Sequence, residues 1–295
     1  MMTRRVALIA AWIAAGGQGW LAHAQTETPE QYTVNVYWTE TPPSLDGQMD
    51  ESCWEEAQCV RNFRLFQKPT EAAAQQTEVR VCYDAENLYV FWKLNEARMD
   101  KLFYGPPEDM RDMLNFSGDV AELFLDPGKT REAKIQLCAS PLGTRYDSSG
   151  KKGAHFNPEW TAKPGVFKDH WTLEAAVPFT ELVHKGEYLG TPQVGDEWGI
   201  QFCRDQAHLH EWSQWKPTPR GFHEVDKFGT AVFSGRKNGA PLPAVKRVSE
   251  DLLTFGPGAL QFTVAGAGQK TALEYTILHA GKPATRKTDA LAAVA

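Results

Sequence analysis

The sequence predicts an all-β protein, an antiparallel β-sandwich with a short C-terminal β extension. Short segments rich in β-branched and aromatic residues alternate apolar and polar side chains, and clusters of Gly, Pro, Asn and Asp separate them. No repeated amphipathic helix lies between these segments, which argues against an α/β sheet. A chain of 295 residues is long enough for one large domain and a small appendage.

The N-terminus has the pattern of an export signal. A basic pair, Arg4 and Arg5, precedes an apolar stretch at residues 6–15 that is too short to span a bilayer. Ala22-His23-Ala24 then fits the small-x-small rule for cleavage. We therefore expect residues 1–24 to be a signal peptide, and the mature protein to be secreted or periplasmic with no membrane attachment.

The first elements follow a polar leader, expected at residues 25–36. Residues 32–38 (YTVNVYW) alternate as a strand does, and residues 50–57 (DESCWEEA) predict one or two helical turns that bury Trp54. Residues 78–83 and 88–94 predict a hairpin because a short turn separates two alternating runs. Further strands are expected at residues 120–125, 133–139, 171–177, 198–203 and 227–233.

Two segments fall outside this regular series. Residues 99–117 are irregular, and their length suits a functional loop. After the sandwich, expected at 37–234, residues 235–295 begin with a linker-like GRKNGAPLP. They continue with candidate strands at 259–265 and 272–278, so they form either a β extension or an incomplete second module.

Charge and cysteine content exclude several classes. The formal net charge is −6 and there is no basic block, which argues against a nucleic-acid partner or an anionic membrane. An odd number of cysteines leaves at least one thiol without an internal partner, and their spacing gives no zinc pattern. The pairing stays open among Cys53, Cys59, Cys82, Cys138 and Cys203.

Six segments occur in the order typical of one known family. They are LDGQMDESCWEEA at 45–57, VRVCYDAENLY at 79–89, GDVAELFLD at 118–126, WTLEAAVP at 171–178, VGDEWGIQFCRD at 194–205, and SQWKP at 213–217 with DKFG at 226–229. In this order the chain resembles carbohydrate-binding module family 9. The resemblance implies a jelly-roll-like β-sandwich that binds poly- or oligosaccharide without catalysis. Such modules are commonly attached to secreted xylanases and other glycoside hydrolases, which makes a glycoside hydrolase the implied partner.

Strand alternation places two polar side chains on one face. In VAELFLD, Glu122 points to the same side as Phe124, and in AKIQLCA, Gln136 points to one side with Cys138. If these strands are neighbours, Glu122 and Gln136 share an open polar face. A carboxylate and an amide there can bind sugar hydroxyls as acceptor and donor.

The resemblance assigns further residues to the sugar site. Its two sugar-stacking aromatics, usually Trp, correspond to Phe116 and Phe222, its Glu to Glu122, and its Arg to Gln136. The smaller rings and the missing charged donor predict weak binding, a different sugar or a vestigial site. The alternative is that both phenylalanines only anchor loops.

Other constellations are weaker. Trp212 and Trp215 form a candidate aromatic ledge, with Trp215 taken as a sugar-contacting residue although it also suits packing under the loop. No cofactor is required by the pattern. Calcium is a candidate at Asp46 and Asp50, where a solvated acidic turn is the simpler interpretation.

Functions from other classes stay open. One is a haem-binding electron-transfer domain of a related sandwich fold, which would pair Met110 or Met113 with a histidine; the candidate histidines are His155, His170 and His223. Another is a structural interaction domain at the cell surface. A glycosidase is disfavoured, because no hydrolase motif occurs.

Overall fold

The computed structural model describes residues 29–150, 156–184, 187–238, 244–251, 259–265, 272–279 and 282–290. The predicted signal peptide lies outside the described residues. Within the described part of the chain, no helix has the length and apolar character needed to cross a membrane.

Strands dominate the described residues. The strands of the main sheet are β1 Thr33–Trp38, β2 Cys59–Val60, β3 Arg64–Leu65, β4 Thr77–Tyr83, β5 Asn87–Asn95, β6 Val120–Asp126, β7 Ile135–Ala139, β8 Arg145–Ser149, β9 Thr161–Val166, β10 His170–Pro178, β13 Glu197–Gln206, β14 Glu211–Gln214 and β15 Gly229–Ser234. The strands that form separate pairs are β11 Val183–His184 with β12 Glu187–Tyr188, β16 Ala244–Asp251 with β17 Ala259–Ala265, and β18 Ala272–His279 with β19 Lys282–Ala290. The short helices are α1 Ser52–Glu56 and the 3₁₀ turns Pro29–Tyr32, Met99–Lys101, Pro127–Lys129, Phe179–Glu181 and Val225–Lys227.

Strand pairing gives the predicted sandwich. The hydrogen-bonded order is β8-β7-β6-β13-β15-β1-β4-β5-β10-β9, with β14 beside β13, β3 beside β14 and β2 beside β4. Neighbours are antiparallel except at β1, which runs parallel to both β15 and β4. β1 therefore joins two antiparallel layers, which we call the β6 layer (β8, β7, β6, β13, β15, β14, β3) and the β5 layer (β2, β4, β5, β10, β9).

One apolar core fills the space between the layers. Trp92 of β5 and Phe202 of β13 meet across it, edge to face, with ring centroids 6.4 Å apart. Alternate residues of β1, Val34 and Val36, are also buried in this core. The all-β sandwich class is thus confirmed, with the parallel placement of β1 as a departure from a purely antiparallel sheet.

The start of the sandwich differs from the predicted domain boundary. Thr33 to Tyr37 pair with β15, although residues 33–36 were expected in the leader. Their alternation buries two valines, so these residues gain more by completing the core than by staying solvated.

A buried carboxylate fixes the segment before α1. Glu174 of β10 accepts hydrogen bonds from the backbone N–H groups of Asp46 and Gly47, both at 2.8 Å, and from Trp54 Nε1, also at 2.8 Å. Glu174 and the Trp54 side chain are fully buried. The Leu-Asp-Gly turn and the tryptophan of α1 are therefore tied to the same strand.

Replacing Gly47 by alanine is expected to lower the free energy of unfolding by about 2–4 kcal/mol. Gly47 has φ of 83°, and an added Cβ would lie 2.6 Å from the backbone nitrogen of Gly165. Gly195→Ala is the matched control, because its φ of 97° is similarly left-handed while an added Cβ meets nothing within 4 Å. Urea denaturation of both variants shows how much of the loss in unfolding free energy comes from the contact of the added Cβ and how much from the left-handed backbone. Equal losses in the two variants would contradict the argument that the contact is the main cause.

The C-terminal strands lie in two further hairpins. β17 and β18 occur where the sequence predicts strands, and each pairs with a neighbour that the pattern did not predict, β16 and β19. The part of the predicted linker at residues 239–243 lies outside the described residues.

Candidate functional site

The outer face of the β6 layer carries the predicted polar residues. Glu122 on β6 is opposite Cys138 of β7 on one side and Cys203 of β13 on the other. One step along the same face, Asp205 on β13 is opposite Trp212 on β14. Side chains directly opposite each other in a sheet lie on the same face, so Glu122, Asp205 and Trp212 share the outer face, with Asp205 on the strand between the other two.

Two loops pack on this face. From the segment before β6, Leu114 is buried against Val120 and Cys138. From the segment after β14, Phe222 and Phe228 pack against Phe124 and its neighbours. The loops thereby cover part of the face and leave openings around Trp212.

Trp212 is the aromatic side chain at the centre of these openings. Its side chain lies on the outer face with 39% of its surface exposed. Its backbone carbonyl accepts a hydrogen bond from the N–H of Phe66 at 2.7 Å, which places Phe66 beside it after β3. The Phe66 ring meets Phe222 edge to face, with centroids 5.5 Å apart.

Trp212 lines two cavities. The first, here the acidic cavity, has a volume of about 100 Å³; besides Trp212 its lining includes Phe116, Gly118, Asp205, Gln206 and Glu211. The second, here the aromatic cavity, has a volume of about 300 Å³; besides Trp212 it is lined by Phe66, Gln67, Phe222 and His223. The two cavities therefore adjoin at a single indole.

The two predicted stacking rings line different cavities. Phe116, 37% exposed, lines the acidic cavity and meets Tyr146 edge to face at 5.1 Å. Phe222 is half-buried and lines the aromatic cavity. The expected arrangement of Phe116 and Phe222 as two walls of one slot is therefore replaced by a row in which each lies beside Trp212.

Glu122 and Gln136 share the predicted face but not the predicted exposure. Gln136 Nε2 donates to Glu122 Oε2 at 2.7 Å, and Gln136 Oε1 accepts from Ser148 Oγ at 3.2 Å. Only 3% of Glu122 is exposed, because the loop that carries Leu114 and the side chains of the flanking strands cover it. The expectation of an open polar face is corrected: the pair lies beneath the site, and Asp205, which is as buried as Glu122, lines the acidic cavity.

The carboxyl groups of Glu122 and Asp205 lie within hydrogen-bonding reach of each other. Burial raises the pKa of Glu122 to about 7. Burial, followed by repulsion from the Glu122 carboxylate, raises the pKa of Asp205 further. Asp205 Oδ1 accepts no hydrogen bond within the described part of the chain, which fits a carboxyl group that keeps its proton.

We expect the free energy of unfolding to fall as the pH rises from 5 to 9. Both carboxyl groups have a higher pKa in the folded than in the unfolded chain, so this contribution to stability is fully present below about pH 4 and falls as the pH rises. The loss is complete above about pH 7 for Glu122 and continues to higher pH for Asp205. Asp205→Asn should reduce the fall by on the order of 2 kcal/mol, measured by urea denaturation at both pH values. Asp50→Asn, the same change at an exposed position, is the control. If the free energy of unfolding of Asp205→Asn depends on pH as that of wild type does, the described interaction between the two buried carboxyl groups is contradicted.

Trp215 does not belong to the exposed site. It is 5% exposed and packs on Tyr32 and Phe202, with centroids 5.8 and 5.7 Å away. It lies three positions after Trp212, an odd offset, so near-extended backbone directs the two indoles to opposite faces. Its assignment as a sugar-contacting residue is corrected to a core residue.

The calcium candidates lie in the segment before α1. The Asp46 carboxylate accepts hydrogen bonds from the backbone and side-chain nitrogens of Gln48, at 2.9 and 3.2 Å. Asp50 is exposed. The described ranges contain no group of three or more His, Cys, Asp or Glu side chains that could hold a metal ion. All five cysteines are free thiols.

The haem hypothesis gains no structural support. Met110 and Met113 are exposed on the loop before β6, while His170 stacks on Phe167 with centroids 4.6 Å apart. His223 lies against Phe124, and His155 lies outside the described residues.

Sequence reasoning missed Asp205 and Phe66 as site residues. Asp205 lies within β13, paired on both sides, and no local pattern in the VGDEWGIQFCRD segment marks it as a site residue. Phe66 follows a two-residue strand, which is too short for a periodic signal.

The strand pairing defines a β-sandwich, and comparison with known protein families gives its class. The family model described as carbohydrate family 9 binding domain-like matches residues 45–236. The chain belongs to this family.

Solved structures share the fold. A family 9 carbohydrate-binding module from Caldicellulosiruptor kristjanssonii in complex with cellotriose matches with a TM-score of 0.51 and 15% identity, over 72% of this chain and 98% of that one. A protein from Bacteroides uniformis ATCC 8492, described as proposed to bind carbohydrate, matches with a TM-score of 0.52 and 12% identity, over 68% of this chain and 99% of that one. No curated protein matches the sequence significantly.

Proposed function

We propose that this protein is an exported, non-catalytic carbohydrate-binding protein that holds a poly- or oligosaccharide against Trp212. The observation that carries the proposal is the position of Trp212, an exposed indole that lines both cavities on the outer face of the β6 layer. Phe116 flanks Trp212 on the side of the acidic cavity. We assign the acidic cavity to the sugar ring.

The acidic cavity matches the chemistry of a pyranose. A sugar ring presents apolar C–H groups on its faces and hydroxyl groups around its rim, so it pairs with a flat aromatic ring and with polar groups at the ring edge. Phe116 and Trp212 supply the aromatic faces. The Asp205 carboxyl group, which shares the outer face with Trp212, supplies a polar group at the same cavity.

The carboxyl geometry favours binding over hydrolysis. Glycosidases of the common two-carboxylate type hold their carboxyl groups about 5 Å or more apart across the sugar bond. Glu122 and Asp205 are close enough to share a proton, and Glu122 is buried beneath the cavity. This pair can order the floor of the site, but it does not bracket a scissile bond.

The biological setting in this proposal comes from the sequence and the family. The export pattern before Gln25 supports a secreted or periplasmic location. Membership of the family supports a role beside a glycoside hydrolase on a plant polysaccharide such as xylan, with calcium as an optional ligand only. The matched Caldicellulosiruptor module is described in complex with cellotriose, which makes β-linked glucose and xylose oligosaccharides the first ligands to test.

Isothermal titration tests the proposal directly. We expect saturable binding of at least one of cellotriose, xylotriose and soluble xylan, with no release of reducing sugar on prolonged incubation. The absence of saturable binding to every glycan in a broad panel would overturn the proposal, and release of reducing sugar would overturn its non-catalytic part.

A further inference from the structure

The aromatic cavity differs in chemistry from the acidic cavity beside it. Three of its lining residues are the aromatic rings Phe66, Trp212 and Phe222. Phe66 and Phe222 already meet edge to face, so they form a preformed apolar corner. Its volume of about 300 Å³ is the larger of the two.

Few hydrogen-bonding groups reach this cavity. Its polar lining consists of Gln67 and His223. His223 Nδ1 already lies 2.9 Å from Lys134 Nζ, so this nitrogen has a partner. A hydroxyl-rich sugar ring placed here would lose hydrogen bonds to water without regaining them, which is unfavourable for every hydroxyl group left unpaired. A planar apolar group would lose none and would bury its area against three rings.

We propose that the aromatic cavity binds an aromatic substituent of the glycan, an aryl or aromatic acyl group attached to the sugar held in the acidic cavity. This inference rests on the proposed function, because it assigns the second half of the same site. Trp212 lines both cavities, so a sugar on one side of the indole places a substituent within reach of the other. The preferred ligand is then a substituted glycan rather than a bare polysaccharide chain.

Titration with matched glycosides tests the inference. We expect 4-nitrophenyl β-xyloside to bind at least about tenfold more tightly than methyl β-xyloside, since burying an aryl ring in this cavity is worth about 1.4 kcal/mol or more. Phe66→Ala should bring this ratio close to one, because Phe66 lines the aromatic cavity and forms its corner with Phe222. Phe116→Ala should weaken both ligands by a similar factor and keep the ratio, because Phe116 lines the acidic cavity.

The outcomes separate this inference from the function on which it rests. Equal affinity of wild type for the two glycosides would overturn the inference and leave sugar binding standing. If no glycoside or oligosaccharide binds at all, the proposed function fails and the inference fails with it. Phe66→Leu keeps an apolar side chain but removes the ring, so it is the second variant if Phe66→Ala does not fold. Retention of the tenfold preference in either folded variant would also overturn the inference.

Discussion

Replacing Trp212 by alanine is expected to weaken sugar binding by about 30-fold or more, which corresponds to about 2 kcal/mol at an aromatic binding hot spot. The indole is the surface that both cavities share, so its removal opens each cavity to solvent and deletes the stacking face. The backbone contact of Trp212 with Phe66 does not involve the side chain and is retained. Titration with the best oligosaccharide of the panel measures the loss.

A matched control distinguishes this result from a general effect of losing an aromatic side chain. Phe167, on the turn between β9 and β10, is 38% exposed, close to the exposure of Trp212. Phe167→Ala should bind the sugar as wild type does. Equal loss in both variants, or undiminished binding by Trp212→Ala, would show that the sugar binds elsewhere.

Replacing Glu174 by alanine is expected to lower the free energy of unfolding by about 3 kcal/mol or more. Its carboxylate accepts three hydrogen bonds, from Asp46, Gly47 and Trp54, and the substitution leaves these donors without their acceptor at a cost of about 1–3 kcal/mol each. The Leu-Asp-Gly turn and α1 would lose the three hydrogen bonds that tie them to Glu174 of β10. Urea denaturation at a fixed pH measures the change.

Glu174→Gln gives a graded comparison for the same contact. The amide keeps one acceptor oxygen, so it satisfies part of the donor set and should destabilise the fold by less than alanine does. Sugar binding at Trp212 should survive in whichever variant remains folded, since Glu174 lies on β10 of the other layer. A stability loss below about 1 kcal/mol in Glu174→Ala would contradict the anchoring role of this carboxylate.

Local alternation predicted which residues share a face, but it did not predict what covers that face. The side chains of Glu122 and Gln136 do lie together, as the period of two requires. Their burial depends on loop residues such as Leu114, which pack over the sheet from a segment without periodic pattern. Exposure is therefore a tertiary property, which strand alternation alone does not determine.

Long-range pairing limited the other predictions. The parallel placement of β1 between β15 and β4 brings together segments far apart in the chain, and no local signal fixes such a choice. Trp212 faces outward because it is opposite Asp205 of β13, whose side chain lies on the outer face. Trp215 lies an odd number of positions further along the chain and is buried in the core. The sequence marked both tryptophans as candidates; only the register decides between them.

One departure from the family pattern has a structural counterpart. The resemblance places Gln136 where an arginine is typical, and Gln136 donates to Glu122 as a neutral group. Without an adjacent cation, burial raises the pKa of Glu122 to about 7. The floor of the acidic cavity therefore consists of protonatable carboxyl groups and an amide rather than a carboxylate paired with an arginine.

The most direct test of this account is the indole N–H region of the nitrogen–proton correlation spectrum during titration with the best-binding oligosaccharide. Trp212→Phe assigns the Trp212 signal by its disappearance, and Trp215→Phe assigns that of the buried Trp215. We predict a saturable shift of the Trp212 signal at the Kd found by calorimetry, while the Trp215 signal stays in place. Saturable sugar binding that leaves the Trp212 signal unmoved would contradict the central claim that the glycan stacks on this side chain.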